Sequence, residues 1–244
     1  TASGDNGGSG NLTFAHICTG SNRILWVAVD HASATDLITG VTYAGVAMTK
    51  TDGLRAGTGS RWESLWYLIA PATGSNNVVI SQSGAVVIRA ASASYTGAKQ
   101  SGVPDANNTT SADAVTSLEL STTTVANNCW VVSGLGATNV NLTAGAGLTI
   151  RSTSSNMGIG DNNAAKTPAG AVSLTWNFDS GKAAICQASF APVTPTAMTF
   201  IGAVASVSGA VRAELWGLIA PTVGANNIVV TLSAGLISAS CAMS

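Results

Sequence analysis

Leu65-Trp66-Tyr67-Leu68-Ile69-Ala70-Pro71, followed by Gly74 and Asn76-Asn77-Val78-Val79, returns near the end of the chain as Leu215-Trp216-Gly217-Leu218-Ile219-Ala220-Pro221, followed by Gly224 and Asn226-Asn227-Ile228-Val229. Trp66 and Trp216 anchor the two copies, and upstream Thr42-Tyr43-Ala44-Gly45 answers to Thr199-Phe200-Ile201-Gly202. Each copy reads as an apolar strand, a turn carrying Pro and Gly, and a second strand. The chain is one full unit plus part of another. Repetition of this kind belongs to arrays and assemblies, because each unit must bury its apolar face and an incomplete one must find that cover in a neighbour.

Outward from this stretch, Leu12-Thr13-Phe14-Ala15-His16-Ile17-Cys18 alternates apolar and polar at period two, the mark of a strand with one buried face. After the turn formers Thr19-Gly20-Ser21-Asn22, Arg23-Ile24-Leu25-Trp26-Val27-Ala28-Val29 is almost continuously apolar, as a strand covered on both sides would be. The two are expected to form a hairpin. Further strands are expected over 40–48, 62–69, 77–81, 86–95, 117–120, 129–133, 148–151, 172–178 and 183–190, with 102–116, polar and carrying Pro104, as a long loop. Helical periodicity is almost absent, so the fold class is all-β: an antiparallel sandwich with Greek-key or jelly-roll connections. Pro192 and Pro195 bracket a stiff linker over 192–195, which divides a sandwich domain, 1–191, from a partial repeat of the unit, 196–244.

Composition narrows the function classes. Charged residues make up 9% of the 244, against roughly 25% in an ordinary soluble domain, so much of the surface is uncharged. A membrane protein or a chain partly buried in an assembly would both explain this. Gly, Ser, Thr or Asn interrupts every apolar run before it reaches the length of a spanning helix, which favours assembly over a membrane span. Ten basic and eleven acidic residues are scattered singly, with no cluster to neutralise phosphates, so nucleic acid is not an expected partner. The chain opens at Thr1 with no basic segment leading into an apolar one, and a removed signal or an origin inside a longer polypeptide is expected.

His16-Ile17-Cys18-Thr19-Gly20-Ser21-Asn22-Arg23 leading into an apolar strand, Val41-Thr42-Tyr43-Ala44-Gly45, Trp66-Tyr67-Leu68 with Pro71 and Gly74, and Ser94-Tyr95-Thr96-Gly97 together resemble a β-sandwich module of bacteriophage virion proteins and large bacterial surface proteins. The resemblance spans about residues 12–191. It implies a concanavalin-like jelly roll, a virion, extracellular or cell-surface setting, and no transferable set of catalytic residues.

The chemistry that the residues offer is sparse. Asp30-His31 is the one adjacent acid and imidazole, but no G-x-S-x-G occurs and strand neighbours point to opposite faces, so a solvated strand end is expected. His16 is expected to pack or hydrogen-bond inside the sandwich. Glu63 and Glu119 are the best pair for a glycosidase, with Glu214 in the tail answering to Glu63 as a structural acid. Asp161-Asn162-Asn163 offers oxygens to calcium but lacks EF-hand spacing, and reads as an Asx-stabilised turn. No other cofactor is expected. Cys18, Cys129, Cys186 and Cys241 stand far apart in apolar runs, as buried thiols or a disulfide framework, without the spacing of a zinc site.

Five tryptophans lie within apolar strands; Trp62 is the one most open to the surface and the candidate for stacking on a surface glycan. The expected function is a non-enzymatic structural protein of a virion or filament, forming homo-oligomers through Phe200, Leu215, Trp216, Ile228 and Val230. The alternative is a lectin-like adhesin or tail-fibre module.

Overall fold

The computed structural model describes residues 1–8, 10–139, 141–194, 199–205 and 212–217. Among the described residues 65% lie in strands and none in a helix, and the antiparallel sheets of this all-β chain pack against one another as in a β-sandwich. It divides into two compact units, Thr1–Thr194 and Pro195–Ser244. The first unit holds β1 (Ala2–Asp5), β2 (Leu12–Cys18), β3 (Ile24–His31), β4 (Ile38–Tyr43), β5 (Val46–Ala47), β6 (Thr49–Arg55), β7 (Trp62–Ile69), β8 (Gly74–Gln82) and β9 (Ile88–Tyr95). It continues with β10 (Ala106–Thr123), β11 (Trp130–Ala137), β12 (Thr143–Ala144), β13 (Thr149–Ser154), β14 (Met157–Asp161) and β15 (Ala171–Phe190). In the second unit the described strands are β16 (Thr199–Ala205) and β17 (Arg212–Gly217).

Three sheets build the first unit, in the orders β1-β9-β3-β7-β6, β2-β8-β4-β5 and β10-β15-β11-β14-β13. The first is the central layer. Along β3, Leu25, Val27 and Val29 join Val41, Tyr43, Val78 and Ile80 of the β2-β8-β4-β5 sheet in one core. Ile24, Trp26 and Ala28 on its opposite face join Val132, Met157, Ile159 and Cys186 of the third sheet in another. Every residue of β3 is buried, as its unbroken apolar run requires of a strand with a sheet on each side. The expected single sandwich over 1–191 therefore has a third layer.

That third sheet covers its own outer face. β10 and β15 are both long, and their pairing shifts register around Ala112, Val115 and Ser117, where the ribbon bends. Beyond the bend Leu120, Leu174 and Trp176 fold over Val131, Leu135 and Ile185, and the Trp176 indole donates to Ser133 Oγ at 2.9 Å.

Two local expectations are corrected. β2 and β3 form no hairpin: β2 pairs with β8, β3 pairs with β7 and β9, and the turn after Cys18 carries the chain from one layer to the next. Residues 106–116 are strand and not loop. β10 edges its sheet with much of its length exposed, so its residues carry no apolar alternation to announce it. The proline-bracketed segment is tied to the first unit at its start, where Ala98 and Pro192 form an isolated bridge and Val193 N–H donates to Gly97 O at 2.7 Å.

Candidate functional site

Phe200, Leu215 and Trp216 lie on the β16–β17 hairpin, while Ile228 and Val230 fall outside the described residues. The hairpin pairs Thr199 with Gly217 and Phe200 with Trp216, skips Ile201, then pairs Gly202 with Leu215 and Ala203 with Glu214. In the first unit β6 and β7 pair Thr49 with Tyr67 and Lys50 with Trp66, skip Thr51, then pair Asp52 with Leu65 and Gly53 with Ser64. Six positions separate the two strands in each case. At a constant shift of 150 positions, β16–β17 reproduces the register, bulge and connection of β6–β7.

This corrects the matching of Tyr43 to Phe200, since β4 lies in the other sheet and does not pair with β7. Sequence misses the true counterpart because Lys50-Thr51-Asp52 and Phe200-Ile201-Gly202 share no residue. The likeness reaches the side chains. The Trp66 indole donates to Ser64 Oγ and the Trp216 indole to Glu214 Oε2, each at 3.0 Å. Glu214 therefore stands at the place of Ser64, not of Glu63. Lys50 Nζ sits 5.7 Å from the Trp66 ring centre, and in the copy Phe200 meets Trp216 edge-on with centroids 5.1 Å apart.

What differs is the cover. Leu65 and Trp66 are 0% and 7% exposed, whereas Leu215 and Trp216 are 62% and 46% exposed. β3 runs along β7 in the first unit, and Trp66 packs among Leu25, Val27, Tyr43 and Val78. Among the described residues β17 pairs with β16 alone. Where β6 carries the polar Lys50 and Thr51, β16 carries Phe200 and Ile201, themselves 45% and 62% exposed.

A second feature is a cleft of about 370 Å³ at the end of β9 and β15, lined by Tyr95, Thr96, Gly97, Trp130, Phe190 and Pro192. Tyr95 lies 5.1 Å from Phe190 and 6.0 Å from Trp130, centre to centre. The Tyr95 hydroxyl donates to Asp161 Oδ2 at 2.6 Å, and burial, with the Asp161 charge beside it, holds the phenol well above its usual range. Trp62 is half-buried, and its indole nitrogen is enclosed without a hydrogen-bond partner.

Charged groups lie between the central and third sheets. Asp5, Arg89, Asp30 and Glu63 are successive register partners across β1, β9, β3 and β7, which puts them in one row on one face. Arg89 Nε meets Asp5 Oδ2 at 2.9 Å. Arg61 Nε donates to Asp30 Oδ1 at 3.0 Å, and Arg61 NH2 donates to Asn156 Oδ1 at 3.2 Å. Neither oxygen of Glu63 has a hydrogen-bond partner, and burial pushes its carboxyl well above the usual range, with Arg61 only partly offsetting that. The facing strand makes room with glycine: a Cβ on Gly134 would sit 2.6 Å from Glu63 Oε1, and one on Gly136 would sit 2.6 Å from Asp30 Oδ1.

Asp30 and His31 are thus both buried, correcting the solvated strand end. They point to opposite faces as strand neighbours must; Leu37 N–H donates to His31 Nε2 at 3.0 Å, and burial lowers the imidazole pKa. Glu63 and Glu119 are not brought together, for Glu119 is exposed on β10 and accepts from Thr175 Oγ1 at 3.3 Å. His16 hydrogen-bonds inside the sandwich, to Ser92 Oγ at 2.7 Å and Ser94 Oγ at 3.0 Å, and burial lowers its pKa to about 4.

The oxygens of Asp161 face Arg151 at 2.6 and 2.7 Å and cap the N–H of Asn163 at 2.8 Å, the expected Asx turn. Among the described residues no three His, Cys, Asp or Glu side chains converge as metal ligands. Cys18, Cys129 and Cys186 are free and buried, and Cys241 lies outside the described residues. Burial raises the Cys129 thiol to about 12 and Cys186 well above its usual value, so neither supplies a thiolate at neutral pH.

A scan of protein-family models and searches of curated proteins and solved structures find no match to this chain.

Sequence reading missed Tyr95, Trp130 and Phe190 as a group. Trp130 and Phe190 are register partners on β11 and β15, and Tyr95 reaches them from β9 of the central sheet across the layers. It missed the charge row because strand pairing within the central sheet aligns Asp5, Arg89, Asp30 and Glu63, which share no spacing along the chain.

Proposed function

We propose that the chain is a non-enzymatic structural module of a larger assembly, of virion or extracellular-filament kind, associating through its C-terminal partial repeat. One observation carries this reading: Leu215 and Trp216 are exposed in the copy, although Leu65 and Trp66 are core residues in the original. Monomeric proteins rarely keep large apolar side chains clustered in water, and such patches mark contact surfaces. The replacement of Lys50 and Thr51 by Phe200 and Ile201 enlarges the patch just where a solvated edge would keep its polar residues.

The sheet orders β1-β9-β3-β7 and β2-β8-β4-β5 are those of two interlocked Greek keys, which supports a jelly-roll reading of the first nine strands. Among the described residues no helix is long and apolar enough to cross a membrane. Light scattering on the full chain tests the proposal. Oligomers that dissociate on Trp216→Glu are expected; a monomer at every concentration would overturn it.

The aromatic cleft favours a second reading, a lectin-like module. Tyr95 and Trp130 offer ring surface to the apolar face of a sugar, with the Thr96 hydroxyl at the rim. Glycan-array binding lost in Trp130→Ala is the expected result, and no binding by the intact chain would remove this reading.

A further inference from the structure

The equivalence of β16–β17 with β6–β7 shows which neighbour of β7 has no counterpart beside β17 among the described residues. In the first unit β7 has two neighbours: β6 on one side and, on the other, the antiparallel β3, set with Val27 opposite Trp66 and Ala28 opposite Leu65. The constant shift that carries β6 to β16 carries β3 to residues 174–181, and these belong to β15 of the first unit. The copy's own chain order therefore puts no β3 counterpart before β16.

We infer that β17 pairs edge to edge with β17 of a second copy of this chain, each strand taking beside the other the place that β3 holds beside β7. This rests on the assembly reading above and names its partner and geometry. Three observations select a second copy. The missing neighbour is antiparallel, the orientation that two identical strands adopt across a two-fold axis. It is apolar on both faces in β3, and in sequence Leu215-Trp216-Gly217-Leu218-Ile219-Ala220, of which the first three residues lie in β17 and the rest outside the described residues, is an apolar run like Ile24-Leu25-Trp26-Val27-Ala28-Val29. Residues 195–244 hold one cation, Arg212, and one anion, Glu214, so two copies meet without net repulsion and with a charge of each sign to oppose. Tyr67, which lies 5.4 Å from Trp26 in the first unit, is replaced in register by Gly217.

Variants with one cysteine added at each position from Arg212 to Gly217, made in the full chain carrying Cys241→Ser with the buried Cys18, Cys129 and Cys186 kept, test the pairing by oxidative cross-linking, with light scattering on the same samples. Across a two-fold strand pair the residue at the axis meets its own counterpart. Self-cross-linking is expected to peak at one or two adjacent positions and to fall away on both sides, and Leu215→Asp is expected to weaken the dimer about tenfold or more, since each copy loses a buried leucine. Dimers without such a peak would overturn the edge pairing while leaving the assembly reading in place. A chain that is monomeric throughout would overturn both. Unchanged unfolding of the first unit in each variant shows that lost association is not lost folding.

Discussion

The hairpins β6–β7 and β16–β17 share register, bulge, connection length and the indole hydrogen bond, yet one is core and the other surface. Local sequence is enough to form the hairpin, because pairing and twist are properties of two strands and their turn. Burial is decided elsewhere, by β3 and the sheet of β2, β8, β4 and β5. The same leucine and tryptophan are thus buried in one place and exposed in the other.

Truncating each tryptophan separates the two hairpins most strongly. Trp66→Ala is expected to destabilise the first unit by about 3–5 kcal/mol in denaturant unfolding, through lost apolar burial and the cavity left behind. Trp216→Ala is expected to leave that transition in place and to reduce association. Equal destabilisation by both would show that the copy is packed as the original is.

Acid separates the units further. The folded-state pKa of His16 is about 4, below the ordinary 6.5, so the unfolded chain takes up the proton first as pH falls. Stability from His16 is complete above pH 6.5 and is lost between there and pH 4, to a total of about 3 kcal/mol at 1.36 kcal/mol per pH unit. Chemical denaturation across that window is expected to lose this part of its slope in His16→Gln. His31, shifted in the same direction, keeps a residual slope of the same sign.

Glu63 works with the opposite sign. Its raised pKa means that the folded state holds a proton the unfolded chain has released, so its contribution is lost as pH rises through the usual carboxylate range. Glu63→Met removes two buried oxygens without partners at nearly constant volume. It is expected to stabilise the first unit by about 1–3 kcal/mol at pH 7, and by less at pH 4, in thermal unfolding. A loss of stability at pH 7 would mean that the row from Asp5 to Glu63 acts as a cooperative network.

The smallest stability effect is expected from giving the copy the polar edge of the original. Phe200→Lys with Ile201→Thr should change the unfolding of the first unit by no more than about 0.5 kcal/mol, as surface substitutions do. Sedimentation should nonetheless show weaker association. Unaltered association would move the contact off this face.

Much of the fold was legible residue by residue. β7 was expected over 62–69 and lies there, and β3 was read as covered on both sides and is buried throughout. The failures share a cause. β10 read as loop because an exposed edge strand leaves no apolar period, and β2 with β3 read as a hairpin because a turn between adjacent strands does not reveal whether they stay in one layer. Leu215 and Trp216 were singled out as candidates because the repeat opened them to comparison, whereas the Tyr95 cleft and the buried charge row had no such signal.

Residue pattern alone determined that this chain is all-β, that part of it repeats, and which strands carry apolar faces, because alternation and turn chemistry act between near neighbours. Tertiary structure alone decided that the central sheet is covered twice, that β16 copies β6 and not β4, and that Glu63 is sealed where burial raises its pKa. Those outcomes depend on which strands pair within a sheet and which sheets meet across layers, and both join residues that have no fixed separation along the chain.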